Sequence, residues 1–115
     1  MNIEILVKLQ VEGLHFFPNA SKIFPEVSYL EEPHRHLFYI ECTFPVTHTE
    51  RDKEFLIVRR EILSHLNSEF YDKELNLLNF KGMSCESIAL HLLKQFELNK
   101  CVVSEDNENA AIITR

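Results

Sequence analysis

The sequence has no net positive charge and no long apolar run, and each absence excludes a class of protein. Lys and Arg number 12 against 18 Asp and Glu, which gives a formal net charge of -6, and the basic residues are scattered. A phosphate-binding surface needs clustered positive charge, so we expect no nucleic-acid partner. No apolar run approaches the roughly 20 residues that a membrane helix requires. We therefore expect no membrane association either.

Cysteine and glycine are also scarce. The three cysteines, Cys42, Cys85 and Cys101, form no Cys-x-x-Cys motif, which favours reduced thiols over a disulfide framework. The first residues lack the basic and apolar segments of a secretory signal, so we expect a soluble cytoplasmic protein. Only two glycines accompany nine Phe and 45% hydrophobic residues in 115 residues. This composition predicts one domain over residues 1–115 with a packed core.

Strands are indicated where apolar and polar residues alternate. From Ile3 to His15 the odd positions are mainly apolar, and over residues 34–44 the even positions are apolar or His. Each pattern predicts a strand with one buried face, and all three of His15, His34 and His36 fall on that face. Residues 101–104 and 110–114 read as two further strands that an acidic turn joins.

Two segments show helical spacing instead. Residues 49–70 repeat apolar side chains at intervals of three and four, and a second helix is predicted from an N-cap at Ser84 to about Asn99. Residues 16–33, which are rich in Pro and turn-forming residues, read as a connecting loop. The predicted fold is α+β: a four-stranded antiparallel sheet with two helices on one face, in the order β-β-α-α-β-β.

The histidine pattern predicts a metal site. His34 and His36 are two residues apart on one strand and therefore project to the same side, and His15 ends the neighbouring strand. Three histidines bind zinc and leave a fourth position for water or substrate, which is the arrangement of catalytic zinc. The alternative is that backbone carbonyls satisfy half-buried histidines with no metal. His48, His65 and His91 lack such spacing, and no role is assigned to them.

Several segments together resemble the 6-pyruvoyltetrahydropterin synthase and 6-carboxytetrahydropterin synthase family. These segments are VEGLHFFP, PHRHLFYIECT, the pair Leu75-Asn76, SCESIA and CVVSEDNENAAII, which extend over nearly the whole chain. The resemblance implies the tunnelling fold, a homo-oligomer that is commonly a homohexamer, and active sites at subunit interfaces. It also implies that His15, His34 and His36 bind zinc, with Arg35 where the family usually has glycine.

The resemblance further implies residues that bind the pterin. Glu105, in the run from Val103 to Asn107, stands where the family has a glutamate that anchors the pterin ring. A carboxylate can accept two hydrogen bonds from the 2-amino and N3-H edge of a pterin. Ser84 and Glu86 stand where family members have a segment that helps to hold the pterin. The alternatives are a turn-flanking acid at Glu105 and ordinary helix capping at Ser84 and Glu86.

The chain departs from the family at the acid and base groups. The usual cysteine before the histidine pair is absent, and Glu31 stands at the offset of a glutamate found in a folate-pathway branch of the family. We expect Glu31 to transfer protons with a pKa raised in a desolvated pocket; the alternative is a solvated loop acid. The family's relay histidine is missing as well, and we expect Asp72, or Lys73 after a one-residue shift, to take over part of the proton relay.

The sequence thus favours a zinc-dependent pterin enzyme. The implied substrate resembles dihydroneopterin triphosphate, and the implied reaction is triphosphate elimination or carbon-carbon cleavage, whose products feed queuosine-type deazapurine, folate or tetrahydrobiopterin synthesis. The rival hypothesis is a catalytically impaired pterin- or purine-binding oligomer, and a third is a structural domain with no zinc. Whether Glu31 and Asp72 point toward the metal discriminates the first two.

Overall fold

Six strands form one sheet in the computed structural model, which describes all of residues 1–115. The strands are β1 (Ile3–His15), β2 (His34–Val46), β3 (Tyr71–Asp72), β4 (Leu77–Lys81), β5 (Lys100–Glu105) and β6 (Ala110–Thr114), and they lie in the order β3-β4-β1-β2-β5-β6. The helices are α1 (Ala20–Ile23), α2 (Phe55–Phe70) and α3 (Cys85–Gln95), with a 3₁₀ helix at Pro25–Glu31. The predicted α+β class is confirmed.

The sheet is larger than the four antiparallel strands predicted. β3 and β4 extend it at one edge, and β4 runs parallel to the end of β1, with Gly13 opposite Leu78. Only Leu78 and Phe80 of β4 point into the core, and two inward residues are too few to produce a recognisable period. The sheet therefore has six strands rather than four and is mixed rather than purely antiparallel.

The core lies between one face of the sheet and the two long helices. A single cluster of 19 buried residues combines the inward positions of the strands with Val58, Ile62 and Leu66 of α2 and with the apolar side of α3. α2 begins at Phe55, later than predicted, because the side chain of Glu54 caps it by accepting the N–H of Leu56. None of the helices combines the length and apolar character that a membrane span needs.

Pairing of β1 with β2 brings the three predicted histidines to one end of the sheet. His15 lies directly opposite His34, and Gly13 lies opposite His36. β2 continues past Thr43 through Pro45, which it tolerates because β5 pairs with β2 only as far as Thr43. The register of β1 and β2 thus places the three imidazoles close together, at the end of β1 and the start of β2.

A candidate metal centre

His15, His34 and His36 form a cluster with Glu105 at the end of the sheet. One ligand atom from each of these four side chains lies within 4.8 Å of the other three. The ring centroids of the histidines are 4.6 to 5.3 Å apart, and the rings meet edge to face rather than stacked. One cation can therefore be reached by three imidazoles and one carboxylate, a donor set that suits zinc and other divalent transition metals.

Each imidazole of the cluster is held at its Nδ1 atom by an oxygen acceptor. The Nδ1–H of His15 donates to the carbonyl oxygen of Met83 at 2.9 Å, and that of His34 donates to the carbonyl oxygen of Glu32 at 2.8 Å. The Nδ1–H of His36 donates to a carboxylate oxygen of Asp106 at 2.7 Å. Such partners fix the tautomer, so the lone pair of each ring lies on Nε2.

The environment of the His15 Nε2 atom indicates whether a cation fits this cluster. His15 is only 6% exposed, and its Nε2 is buried without a hydrogen-bond partner. Burial lowers the pKa of His15, and the neighbouring imidazoles of His34 and His36 lower it further against the opposing effects of Met83 and Glu105. These effects favour the neutral ring, whose Nε2 lone pair lies 2.8 Å from a carboxylate oxygen of Glu105. Two acceptors at this distance repel each other unless a proton or cation lies between them, so the residues fit a metal ion.

A cavity of about 730 Å³ opens beside the cluster. His15, His34 and Glu105 form one part of its wall, and the start of α3 forms another through Ser84 and Glu86. Ser84 also caps α3, since its hydroxyl oxygen accepts the N–H of Ser87 at 3.0 Å. All three residues predicted to contact substrate therefore line the same cavity as His15 and His34.

Glu31 does not line this cavity within one chain. Its carboxylate accepts hydrogen bonds from the backbone N–H of Ser21, at 2.7 Å, and from the Ser21 hydroxyl. These two bonds lower the pKa of Glu31, which is the opposite of the direction expected for a proton-transfer group in a desolvated pocket. The visible role of the side chain is to tie the start of α1 to the end of the 3₁₀ helix.

Asp72, the last residue of β3, lies at the start of the turn into β4 and is absent from the wall of the cavity. Its carboxylate accepts the backbone N–H groups of Glu74 at 3.0 Å and of Leu75 at 3.2 Å. Asn76 completes the turn with a positive φ of 56°, a conformation that Asn tolerates well. Within one chain this arrangement is that of a turn-stabilising aspartate, and Lys73 beside it is exposed.

Sequence reasoning missed two side chains of the site, Asp106 and Cys85. Asp106 follows Glu105 at the hairpin turn, and only the register between β2 and β5 brings it next to His36. Cys85, the first residue of α3, lines the cavity; burial and the charges of Glu105 and Glu86 raise the pKa of its thiol to about 12. The adjacency of Asp106 to the predicted Glu105 was the one available signal, since helix position alone does not reveal what Cys85 faces.

The comparisons with known proteins add no relative to this description. No protein-family model matches the chain, and no curated protein is significantly similar to it.

Proposed function

We propose that the protein is a zinc-dependent pterin enzyme of the type that the sequence resembles, acting on a dihydroneopterin triphosphate-like substrate by triphosphate elimination or side-chain cleavage. One observation carries the proposal: three imidazoles whose Nδ1 atoms are hydrogen-bonded to oxygen converge with Glu105, and His15, His34 and Glu105 of this cluster form part of the wall of a cavity. Structural zinc is usually enclosed by four protein ligands, whereas a catalytic site adjoins space for a substrate. The cavity therefore favours chemistry over a purely structural ion.

His15, His34 and His36 would hold the metal, and the carboxylate of Glu105, although within reach of the same ion, would be left to the substrate. When bound, zinc would polarise a substrate oxygen or lower the pKa of a bound water to about 7. The imidazoles need no rearrangement of their protons to do this, because Met83, Glu32 and Asp106 already retain the proton of each ring on Nδ1. Burial lowers the pKa of His15 and so favours the neutral ring, which is the form that binds a cation.

Substrate recognition would fall to the residues around the cavity. Glu105, on the wall next to the histidines, offers a carboxylate to the donor edge of a pterin. Ser84 and Glu86 stand at the N-terminus of α3, and the phenyl ring of Phe16 with other apolar side chains supplies a surface for a flat ring. A few polar groups on a mainly apolar wall are what a small heterocyclic substrate requires.

Glu31 and Asp72 keep an acid-base role in this proposal only through the homo-oligomer that the resemblance implies. Neither carboxylate lines the cavity of its own chain. In an assembly with sites at subunit interfaces, commonly a homohexamer, a second copy would have to bring one of them to the cavity. Asp72 lies at the sheet edge that β3 and β4 form, which is open to a neighbouring chain.

The decisive experiment is incubation of zinc-loaded protein with dihydroneopterin triphosphate, with triphosphate release and the pterin product followed together. We expect conversion by the wild type and none by His34→Ala. His48→Ala is the matched control, since it removes an exposed imidazole outside the cluster and should retain activity. Bound zinc without conversion of this compound would refute the enzyme proposal.

A second function is favoured by the positions of Glu31 and Asp72. The carboxylate of Glu31 accepts the backbone N–H of Ser21 in α1, and that of Asp72 accepts N–H groups of the turn that follows it. A protein whose expected acid and base groups, Glu31 and Asp72, lie away from its cavity would bind a pterin or purine without converting it, as a catalytically impaired oligomer. Saturable binding of dihydroneopterin to zinc-loaded protein, with no turnover of the triphosphate, would support this alternative.

A further inference from the structure

Asp106 contacts His36 at Nδ1, whereas Glu105 lies nearer the other ring nitrogen, Nε2. The Nδ1–H of His36 donates to Oδ2 of Asp106, while Oδ1 of the same carboxylate accepts the backbone N–H of Leu37 at 2.9 Å. The backbone N–H of Asp106 in turn donates to the carbonyl oxygen of Leu37 at 2.8 Å. The strand that carries His36 thus holds the carboxylate in place, with one oxygen directed at one ring nitrogen.

We propose that Asp106 is a positioning residue that fixes the tautomer of His36, an inference that rests on the proposed metal site. A neutral imidazole carries a single N–H, and an ionised carboxylate can only accept. Asp106 therefore keeps the proton on Nδ1 and leaves Nε2 free to bind a cation. A carboxylate partner also makes the opposite nitrogen a stronger donor to a metal.

Asp106 differs from the other two Nδ1 partners because it acts through a side chain. Met83 and Glu32 present backbone carbonyl oxygens, which no side-chain substitution removes. Asp106 also follows Glu105 directly, and an oxygen of Glu105 lies 3.5 Å from Nε2 of His36. Consecutive residues at one hairpin turn thus place a carboxylate near each nitrogen of the same ring.

The backbone of the turn supports this arrangement. Asp106 and Asn107 have positive φ angles of 55° and 60°, the left-handed region in which Asp and Asn are tolerated more readily than most residues.

The test is Asp106→Asn, which keeps the shape of the side chain and an oxygen for the N–H of Leu37. The amide then presents an N–H₂ donor to Nδ1 of His36, so the ring must accept there and carry its proton on Nε2. We expect ¹⁵N NMR of the metal-free full chain at mildly alkaline pH to show protonated Nδ1 in the wild type and protonated Nε2 in the variant. Zinc affinity should fall by about 10- to 100-fold.

Asp52→Asn is the matched control. Asp52 also accepts a backbone N–H, from Thr47 at 2.8 Å, and has a histidine nearby, but it lies outside the cluster. Its substitution removes the same charge and should change neither the His36 tautomer nor the zinc affinity.

The outcomes separate this inference from the proposed function. Protonated Nε2 in the wild type would overturn the inference, and this measurement does not depend on the folding of any variant. Unchanged zinc affinity in a folded Asp106→Asn variant would overturn it as well. A tautomer that switches as expected in a protein that binds no zinc would uphold the positioning role of Asp106 and refute the metal site.

Discussion

His15, His34 and His36 at the end of the sheet differ from His65 and His91 between the helices in what occupies each ring nitrogen. In the sheet cluster every Nδ1 has an oxygen acceptor, and the ligand atoms face a common space. In the helix pair the two Nε2 atoms face each other at 2.8 Å, with ring centroids 5.0 Å apart and planes inclined by 22°. No Nδ1 of this pair has a hydrogen-bond partner among the side chains or backbone.

The difference shows that proximity of imidazoles does not by itself make a metal site. Where oxygens hold the Nδ1 protons, the lone pairs on Nε2 are left for a cation. In the helix pair one Nε2–H must donate to the other Nε2, so the pair is suited to sharing a proton. Phe70 lies against His91 and Phe96 against His65, and these rings complete a pair with an apolar border.

The largest effect expected from this comparison is on metal binding. Replacing His15 with Ala should lower zinc affinity by more than the roughly 100-fold that loss of an outer hydrogen-bond partner causes, because a direct ligand is lost. His91→Ala removes the same group from the helix pair and should leave zinc affinity unchanged. Competition with a chelator of known affinity measures both.

If His15→Ala and His91→Ala lost zinc affinity equally, the histidines of the sheet and those of the helix pair would not differ as metal ligands. If the wild-type protein did not bind zinc, the alternative interpretation would hold, in which the histidines of the sheet form hydrogen bonds without any metal.

Metal removal should affect stability in the same selective way. At a free zinc concentration of 100 times the Kd, a ligand that binds only the folded chain stabilises it by about 2.7 kcal/mol. We expect this stabilisation in the wild type and in His91→Ala, but not in His15→Ala, as measured by urea unfolding with and without zinc. Equal stabilisation of His15→Ala would locate the bound ion elsewhere.

Substitution of Gly13 tests whether the phenyl rings that pack against the histidine cluster are held rigidly. A Cβ atom at this position would lie 2.8 Å from Cε2 of Phe80 and 3.2 Å from Cε2 of Phe38, whose ring packs edge-on against His15 and His36. Both phenyl rings are buried, so Gly13→Ala should destabilise the fold by about 1–3 kcal/mol. It should also weaken zinc binding, because the rings that support the histidines must shift.

The control for this substitution is Gly82→Ala. Its Cβ would approach Cγ of Pro18 at 2.9 Å, but Pro18 belongs to an exposed loop that can yield. Urea unfolding of both variants measures the difference. If Gly82→Ala lost as much unfolding free energy as Gly13→Ala, the phenyl rings next to the histidine cluster would not be rigidly packed.

Much of the fold could be predicted because its long elements carry clear periods. β1 has the predicted bounds, and Ser84 caps α3 as expected. β3 and β4 were missed because a two-residue strand and a five-residue strand show almost no period, and the parallel pairing of β4 depends on the rest of the sheet. The short helices within residues 16–33 were missed because Pro and turn residues dominate that segment.

The histidine cluster of the candidate site could be predicted from strand period, whereas Ser84, Glu86 and Glu105 were placed near it only through the family resemblance. His34 and His36 are two residues apart, so any strand places them on one face, and alternation extends that face to His15. The Nδ1 acceptors depend on loops and on register, which the sequence does not reveal. The same holds for the expected role of Glu31, since the contact with Ser21 that lowers its pKa arises from the packing of two short helices.

The smallest effect expected is on the pH dependence of stability through the helix pair. Burial and the neighbouring His91 lower the pKa of His65, with an opposing contribution from Glu69. Below the ordinary histidine pKa of about 6.5 the unfolded chain therefore binds a proton that the folded chain does not. The contribution of His65 to stability is fully present above that pH and is lost as the pH falls from 6.5 through the folded value.

His65→Gln retains a donor for His91 but cannot titrate, so its urea-unfolding free energy should fall less between pH 7 and pH 5 than that of the wild type. Because both rings are only half-buried, solvent screening should keep the difference below about 1 kcal/mol. Comparison of the two proteins at the same zinc loading cancels the protons that the sheet cluster takes up. His48→Gln, at an exposed position, should follow the wild type. If His65→Gln were to lose as much stability as the wild type on acidification, the helix pair would not be a proton-sharing pair, and its rings would contribute to packing alone.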